Sequence, residues 1–124
     1  MQMNFEGDKP IYLQLAEGIE DDILKGIFGE ETQVPSTTEI SVTMRINPAT
    51  AGKGVNLLVD EGILYKKRGV GMFVASGARQ RISEKRKETF FENYIIRLLE
   101  EATKLNISKQ EIIAMIGRVG HERD

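Results

Sequence analysis

Residues 34–75, which read VPSTTEISVTMRINPATAGKGVNLLVDEGILYKKRGVGMFVA, contain the signals that decide the fold. Ser36 stands where a helix would begin, and Glu39 three residues later completes a capping box that satisfies two backbone donors. Asn47 and Pro48 mark a second start, because Asn is a favoured N-cap and Pro fits the first helical turn. Gly62 is typical of a helix end. The stretch therefore predicts two helices joined by a tight turn.

A short β-hairpin follows the second predicted helix. Residues 63–68 and 72–75 are β-type runs, and the Gly-Val-Gly sequence of residues 69–71 forms the turn between them, with a basic tip. Two helices and a hairpin in this order make a winged helix-turn-helix, which places one helix in the DNA major groove and the wing against the backbone. We predict an α+β, mostly α, fold, with this N-terminal winged helix-turn-helix followed by a short two-helix C-terminal hairpin.

The same stretch resembles the DNA-binding domain of the GntR family of bacterial transcription regulators. The likeness is carried by residues 34–36 (Val-Pro-Ser), Thr50, residues 58–63 (Leu-Val-Asp-Glu-Gly-Ile) and residues 69–74 (Gly-Val-Gly-Met-Phe-Val). The part after the wing is similar to the short tail of the YtrA subfamily, so the likeness covers nearly the whole chain. The resemblance implies a DNA-binding regulator with a dimerisation tail, and repression as the usual mode of action.

Length and composition allow one compact domain and a small appendage. The chain has 124 residues, of which 40% are hydrophobic, and it has no cysteine, which excludes disulfides and thiolate metal sites. No N-terminal apolar run resembles a signal peptide or membrane span, so we expect a cytoplasmic protein with no membrane partner. We assign residues 1–76 to the DNA-binding domain and residues 77–124 to the helical tail.

The charges are distributed unevenly along the chain. The formal net charge is −2, which by itself argues mildly against a nucleic-acid partner. Residues 1–31, however, hold eight acidic and two basic residues, whereas residues 66–87 hold eight basic residues and one acidic residue. This asymmetry is what one basic face on an otherwise acidic protein produces, and it favours a DNA-binding surface near the wing.

A first helix precedes the helix-turn-helix. Asp8 is its expected cap, and Pro10 fits its first turn. One face is apolar, because hydrophobic residues recur every four positions at Ile11, Leu15, Ile19, Ile23 and Ile27. Residues 20–22 (Glu-Asp-Asp) are interpreted as a solvated face rather than a metal site, because consecutive helical side chains point in different directions.

The tail contains two further helical patterns. Apolar residues repeat at three- and four-residue intervals from Ile82 to Leu105, a break follows at Asn106, and Ser108 with Glu111 forms a capping box for a last helix. A hairpin of this size cannot bury both apolar faces within itself, so a second copy of the chain is the expected partner. The alternative is that the hairpin folds back on its own winged helix. The expected homodimer interface consists of Phe90, Phe91, Tyr94, Ile95, Leu98, Leu99, Ile112 and Ile116.

Catalytic, cofactor and metal sites are not expected. Residues 52–54 (Gly-Lys-Gly) lack the spacing of a phosphate loop, and residues 69–71 lack the strand-to-helix context of a dinucleotide motif. His121 is the sole histidine and lies near the chain end, and no catalytic triad or carboxylate pair stands out, so we do not expect an enzyme. About forty-five residues follow the wing, fewer than the effector domains of many GntR relatives, and the effector stays unknown.

The candidate DNA-binding residues follow from the docking geometry of a winged helix. The start of the recognition helix faces base edges, whereas hydroxyls, basic side chains and helix N-termini hold phosphates. Glycines at the wing tip allow the backbone close to DNA. The candidates are Ser36, Thr37, Thr38, Arg45, Asn47, Ala49, Thr50, Lys53, Lys66, Lys67, Arg68, Gly69 and Gly71.

This sequence also departs from the family. Thr38, Pro48 and Gly52 stand where many GntR proteins have arginine, the residue that most often contacts guanine, so the operator is expected to differ. Gly52 and Gly54 weaken the second helix, and either permit close approach to DNA or leave the helix loose until it binds. We predict a sequence-specific repressor that binds an inverted repeat as a homodimer. The alternative is a winged-helix adaptor for protein partners that has lost DNA reading.

Overall fold

The computed structural model describes the backbone of residues 3–123 and the side chains of residues 3–120. Contacts divide the chain into two compact units, Met1–Glu84 and Lys85–Asp124. The expected mostly α fold with a winged helix-turn-helix is confirmed. In chain order the elements are α1 (Ile11–Leu24), β1 (Gln33–Val34), α2 (Thr37–Met44), α3 (Pro48–Asp60), β2 (Leu64–Lys67), β3 (Gly71–Val74), α4 (Ala78–Phe90), a π-helical segment (Phe91–Ile96), α5 (Arg97–Lys104) and α6 (Lys109–Arg123).

The ends of α1 differ from the sequence prediction. Pro10 occupies the N-cap position and makes no side-chain capping bond, so the assignment of Asp8 as the cap was wrong. The helix ends at Leu24, before Gly26, whose φ is +82°. Ile27 therefore lies outside the helix and is 61% exposed, so it is not part of the apolar face on which it was predicted.

The predicted boundaries of α2 and α3 are confirmed by their capping bonds. The Glu39 amide donates to Ser36 Oγ at 3.0 Å, and the Ser36 amide donates to Glu39 Oε1 at 3.1 Å, which completes the capping box. The Ala49 amide donates to Asn47 Oδ1 at 2.7 Å, with Pro48 at the first helical position. Gly62 follows α3 with a φ of +74°, a conformation that glycine adopts without steric cost.

The three strands form an antiparallel sheet in the order β1-β3-β2. The wing pairs Leu64 with Val74 and Lys67 with Gly71 across its hairpin. β1 was not predicted, because the sequence indicated no strand between the first helix and Ser36. A strand of this length shows no alternation in its sequence, and it forms because its backbone pairs with β3.

One hydrophobic core fills the first unit. It is formed by the inner face of the sheet, by one face each of α1, α2 and α3, and by the start of α4. Its largest fully buried apolar side chains are Leu15, Ile19, Ile23, Ile40, Val55, Leu58, Ile63, Leu64, Val74 and Ile82. Burial of each Leu or Ile contributes roughly 1.5–3 kcal/mol, so these contacts provide the main stabilisation of the fold.

Glu20 is buried, with only 2% of its surface exposed. The interpretation of residues 20–22 as a solvated face is therefore wrong for this residue. The physical reason is helical spacing: Glu20 follows Ala16 by four residues and precedes Ile23 by three, and both of those are buried. It consequently shares the edge of the face that packs into the core.

The start of α4 belongs to the first unit. Ala78 and Ile82 are fully buried in its core. The carboxylate of Glu30 accepts hydrogen bonds from the amides of Gly77, at 2.8 Å, and Arg79, at 3.3 Å, and so caps the N-terminus of α4. Contacts therefore divide the chain after Glu84, whereas the sequence placed the domain boundary after residue 76.

The second unit contains the helical patterns expected of the tail. The helix that the sequence predicts up to Leu105 includes a π-helical segment, Phe91–Ile96. The predicted break at Asn106 is present, with a φ of +57°. The Glu111 amide donates to Ser108 Oγ at 3.1 Å and the Ser108 amide donates to Glu111 Oε1 at 3.2 Å, which confirms the capping box before α6.

Candidate nucleic-acid interface

The turn between α2 and α3 is fixed by a buried hydroxyl. Ser41 Oγ donates to the carbonyl oxygen of Ile46 at 2.8 Å, and the Ile46 amide donates to the Ser41 carbonyl at 3.1 Å. Arg45, between them, adopts a left-handed conformation with a φ of +55°. These bonds hold the start of α3 relative to α2. Sequence reasoning missed Ser41, and no local pattern marks it, because its role depends on the turn that brings the Ile46 carbonyl to its hydroxyl.

The exposed face of α3 carries small and polar side chains. Ala49, Lys53, Asn56 and Asp60 are exposed and recur at helical spacing, whereas Thr50 is half-buried beside them. Ala49, Thr50 and Lys53 were predicted site residues. Asn56 was not, although its position three residues after Lys53 placed it on the same face. We call Ala49, Thr50, Lys53, Asn56 and Asp60 together the α3 face.

Ser36 and Asn47 already have capping roles at the helix starts. Capping uses the acceptor atoms of both side chains, Ser36 Oγ and Asn47 Oδ1. The hydroxyl proton of Ser36 and the amide group of Asn47 are donors that these caps do not use, and donors at helix N-termini are suited to phosphate oxygens. Thr38 is exposed at the start of α2, and Thr37 is half-buried. Arg45 is exposed in the turn.

The basic residues of the wing differ in their surroundings. Lys66 and Arg68 are exposed. Lys67 is also exposed, but its Nζ lies 4.4 Å from the centroid of the Phe73 ring, which attracts the ammonium group. Phe73 in turn stacks on Tyr65, with ring centroids 5.9 Å apart. The wing therefore presents two unrestrained positive side chains and one that is held over an aromatic pair.

The wing is fixed by β1 and by the segment before it. Gln33 Nε2 donates to the carbonyl oxygen of Val70 at 3.1 Å, and a Cβ on Gly71 would collide with the Gln33 side chain. Gly69 supplies the positive φ of the turn, +78°. The hydroxyl of Tyr65 donates to Glu31 Oε2 at 2.6 Å, and this bond raises the pKa of Tyr65. Gln33 lies outside the motifs that sequence analysis used.

The two helix glycines have different surroundings. A Cβ on Gly54 would lie 2.8 Å from the Tyr12 carbonyl oxygen and 3.1 Å from Leu15 Cδ2, so Gly54 permits close packing of α3 against α1. A Cβ on Gly52 would meet only Thr37 Cγ2, at 3.8 Å, an ordinary contact. The sequence left two interpretations open for both glycines, close approach to DNA or a helix that stays loose until it binds. Neither accounts for Gly54, which is buried between α1 and α3.

The predicted interface residues of the tail lie in the second unit. Phe90, Phe91, Tyr94, Ile95, Leu98 and Ile116 are exposed, whereas Leu99 and Ile112 are half-buried. The rings of Phe90 and Tyr94 are in contact, with centroids 5.3 Å apart. Exposed apolar side chains concentrated in a small unit are typical of a surface that binds another protein.

Metal clusters and membrane-spanning helices are the other features that bear on function. Within it, no group of His, Cys, Asp or Glu side chains could hold a metal ion. None of the helices in that part has the length and apolarity needed to cross a bilayer. The side chain of His121, set aside on sequence grounds, lies outside the described residues.

Sequence comparison gives a family and relatives. The model of "Bacterial regulatory proteins, gntR family" matches residues 11–74, slightly more than half of the chain. YurK of Bacillus subtilis, an uncharacterized HTH-type transcriptional regulator, is 34% identical over 60% of this chain, but the match spans only 31% of YurK. The HTH-type transcriptional repressor YtrA of Bacillus subtilis is 26% identical over 90% of this chain and 85% of its own length.

Solved structures give the same result. A structure described as a GntR-family transcriptional regulator from Bacteroides thetaiotaomicron is 37% identical, with a TM-score of 0.72, and the match covers 92% of this chain and 99% of that one. The AraR DNA-binding domain in complex with its operator ORR3 is 29% identical, with a TM-score of 0.53, over 60% of this chain and 90% of that one.

Proposed function

Because this chain belongs to the gntR family of bacterial regulatory proteins, we propose that it is a sequence-specific DNA-binding transcription regulator that acts as a repressor. The observation that carries the proposal is the α3 face, a row of small and polar side chains on a helix whose opposite face is buried in the core. A rigidly packed helix with such a face can enter the major groove and present its side chains to base edges.

The remaining candidates serve as backbone contacts in this proposal. Ser36, Thr38 and Asn47 offer donors at two helix N-termini, where anions are favoured. Lys66 and Arg68 on the wing hold phosphates of the same duplex, and their charge makes binding sensitive to salt. In this arrangement α3 recognises the DNA sequence, whereas the helix starts and the wing fix the position of the protein along the duplex.

The regulator acts as a homodimer through the tail. Its exposed apolar side chains are covered by the same surface of a second copy, which gives a two-fold symmetric interface. They are Phe90, Phe91, Tyr94, Ile95, Leu98 and Ile116. Two recognition helices related by that symmetry read an inverted repeat whose half-sites lie about one DNA turn, ~34 Å, or a multiple of it apart. Bound over a promoter in the cytoplasm, the dimer represses transcription by occupancy, in keeping with the repressor name of its relative YtrA.

Selection from a random pool of double-stranded DNA tests this function. The full chain should enrich one inverted repeat, and a mobility-shift assay should show tighter binding to that repeat than to competitor DNA. Thr50→Ala should change the enriched sequence at one position of each half-site. If no sequence is enriched and binding to all duplexes is equal, the winged helix is instead an adaptor for protein partners.

A further inference from the structure

Tyr12 of α1 and Lys53 of α3 are in direct contact. Lys53 Nζ lies 4.1 Å from the centroid of the Tyr12 ring. Lys53 is otherwise exposed, and Tyr12 is half-buried. The negative face of an aromatic ring attracts an ammonium group at this distance. The charged end of Lys53 therefore occupies a defined place beside α1 instead of moving freely in solvent.

Gly54 makes this contact possible. Because residue 54 has no side chain, the backbone of α1 at Tyr12 reaches α3 directly beside Lys53. Tyr12 and Lys53 both line a shallow groove between the two helices, together with Ala49, Gly52, Asn56, Leu57 and Asp60. Four of the lining residues, Ala49, Lys53, Asn56 and Asp60, belong to the α3 face. The Tyr12 ring consequently stands next to the surface that the proposed function assigns to base reading.

We propose that Tyr12 is a positioning residue for DNA recognition, whose ring holds Lys53 Nζ where it reads a guanine edge in each half-site. The inference rests on the proposed function. A lysine side chain carries its charge at the end of a flexible chain. When nothing positions the ammonium group, it contacts any nearby phosphate oxygen. Held on the middle of a recognition helix, it faces base edges, and its donors match the O6 and N7 acceptors of guanine. The ring also reduces the conformational entropy that ordering the lysine costs on binding.

The test uses the full chain and the operator enriched from a random pool, with random duplex as competitor. Tyr12→Leu removes the ring, Tyr12→Phe keeps it, and Lys53→Met removes the charge while α1 stays unchanged. Tyr12→Leu should lower the preference for operator over competitor by about two- to five-fold, the range of an exposed cation–π contact. It should also relax the guanine requirement at one position. Tyr12→Phe should retain both.

The combination of variants separates positioning from a structural effect. In the Lys53→Met background, Tyr12→Leu should cause no further loss of guanine preference. A residue with only a structural role would instead lower binding to every duplex in both backgrounds.

Two results with Tyr12→Leu would overturn the proposal. The first is that the variant keeps the guanine requirement. The second is that it binds competitor DNA more tightly than wild type, because the ring would then be holding Lys53 away from DNA. If Tyr12→Leu does not fold, Lys53→Met tests the proposal by itself. An unchanged base preference in Lys53→Met would also overturn the proposal. If the wild-type chain enriches no sequence, the proposed function fails and this inference with it.

Discussion

A side-chain carbon on Gly54 would stand 2.8 Å from the carbonyl oxygen of Tyr12, closer than such atoms approach in folded proteins. Gly54→Ala should therefore destabilise the protein, because overpacking costs typically 1–3 kcal/mol and exceeds the ~1 kcal/mol that alanine gains in helix propensity. Gly52→Ala is the matched control, since a Cβ at this position would meet only Thr37 Cγ2, at the ordinary contact distance of 3.8 Å. It should stabilise by up to about 1 kcal/mol. Urea denaturation measures both, and equal midpoints would contradict the packing role of Gly54.

The Ser41 hydroxyl is a second position where a small change should have a measurable effect. Ser41→Ala removes the 2.8 Å hydrogen bond between the Ser41 hydroxyl and the part-buried Ile46 carbonyl, and such a bond contributes about 0.5–1.5 kcal/mol. Thr43→Ala on the same helix is the control, because Thr43 is exposed. Thermal unfolding should show a lower Tm for Ser41→Ala and little change for Thr43→Ala. A similar Tm for both variants would mean that the turn does not depend on this bond.

The pH dependence of stability should include a contribution from Glu30. The amides of Gly77 and Arg79 stabilise its carboxylate and lower its pKa below the ordinary value of 4.5. A carboxyl group with a lowered folded-state pKa stabilises the protein above its unfolded-state pKa, and this contribution is lost as pH falls through the folded-state value. Glu30→Gln should therefore reduce the urea midpoint at pH 7, and its difference from wild type should shrink below pH 4.5. Asp8→Asn, at an exposed site that caps no helix, is the control and should leave the urea midpoint at pH 7 unchanged.

Salt dependence should identify the wing residues that contact phosphates. Each lost phosphate contact reduces the slope of log K against log salt by about 0.9, so Lys66→Ala should weaken specific and non-specific binding alike and flatten the slope. Lys67→Ala should do the same, with an added loss of the contact to Phe73. Lys104→Ala, in the tail, is the control, because Lys104 pairs with Glu101 at 3.5 Å on another unit. Titrations at several salt concentrations would contradict the assignment if all three slopes equalled that of wild type.

The tail should make the dimer on which operator binding depends. Phe91→Asp and Leu98→Asp should each give a monomer that keeps its fold but binds its operator weakly, because two linked sites gain affinity through effective concentration. Ile27→Asp is the control, since Ile27 is equally apolar and exposed but lies in the first unit. Sedimentation velocity measures the association state.

A truncation tests the same dependence, and the structure changes where it is made. Cutting after Ser76 would remove Ala78 and Ile82 from the core, so the shortened chain should end after Glu84. Its expected behaviour is that of a folded monomer with weak DNA binding. A shortened chain that sediments as a dimer, or that binds its operator as tightly as the whole chain, would show that the tail has another purpose.

Much of the fold was predictable because its signals are local. Ser36 and Glu39 lie one helical turn apart, Asn47 directly precedes Pro48, and Gly62 directly follows the end of α3, so each signal can be recognised within a few residues. The resemblance to the GntR family rests on the same short motifs, and the family is confirmed. The candidate DNA-binding and interface residues stay predictions, because their evidence is position and exposure alone.

The sequence by itself determined where α2 and α3 begin, where α3 ends, where the wing turns, and to which family the chain belongs, because neighbouring residues encode these features. Only the tertiary structure decided that Gly54 serves the contact with Tyr12, that Glu20 is buried, and that Glu30 caps α4. The same holds for the placement of Lys53 over Tyr12. Each of these depends on how closely two distant segments approach in the packed core, and that distance is set by the fold as a whole.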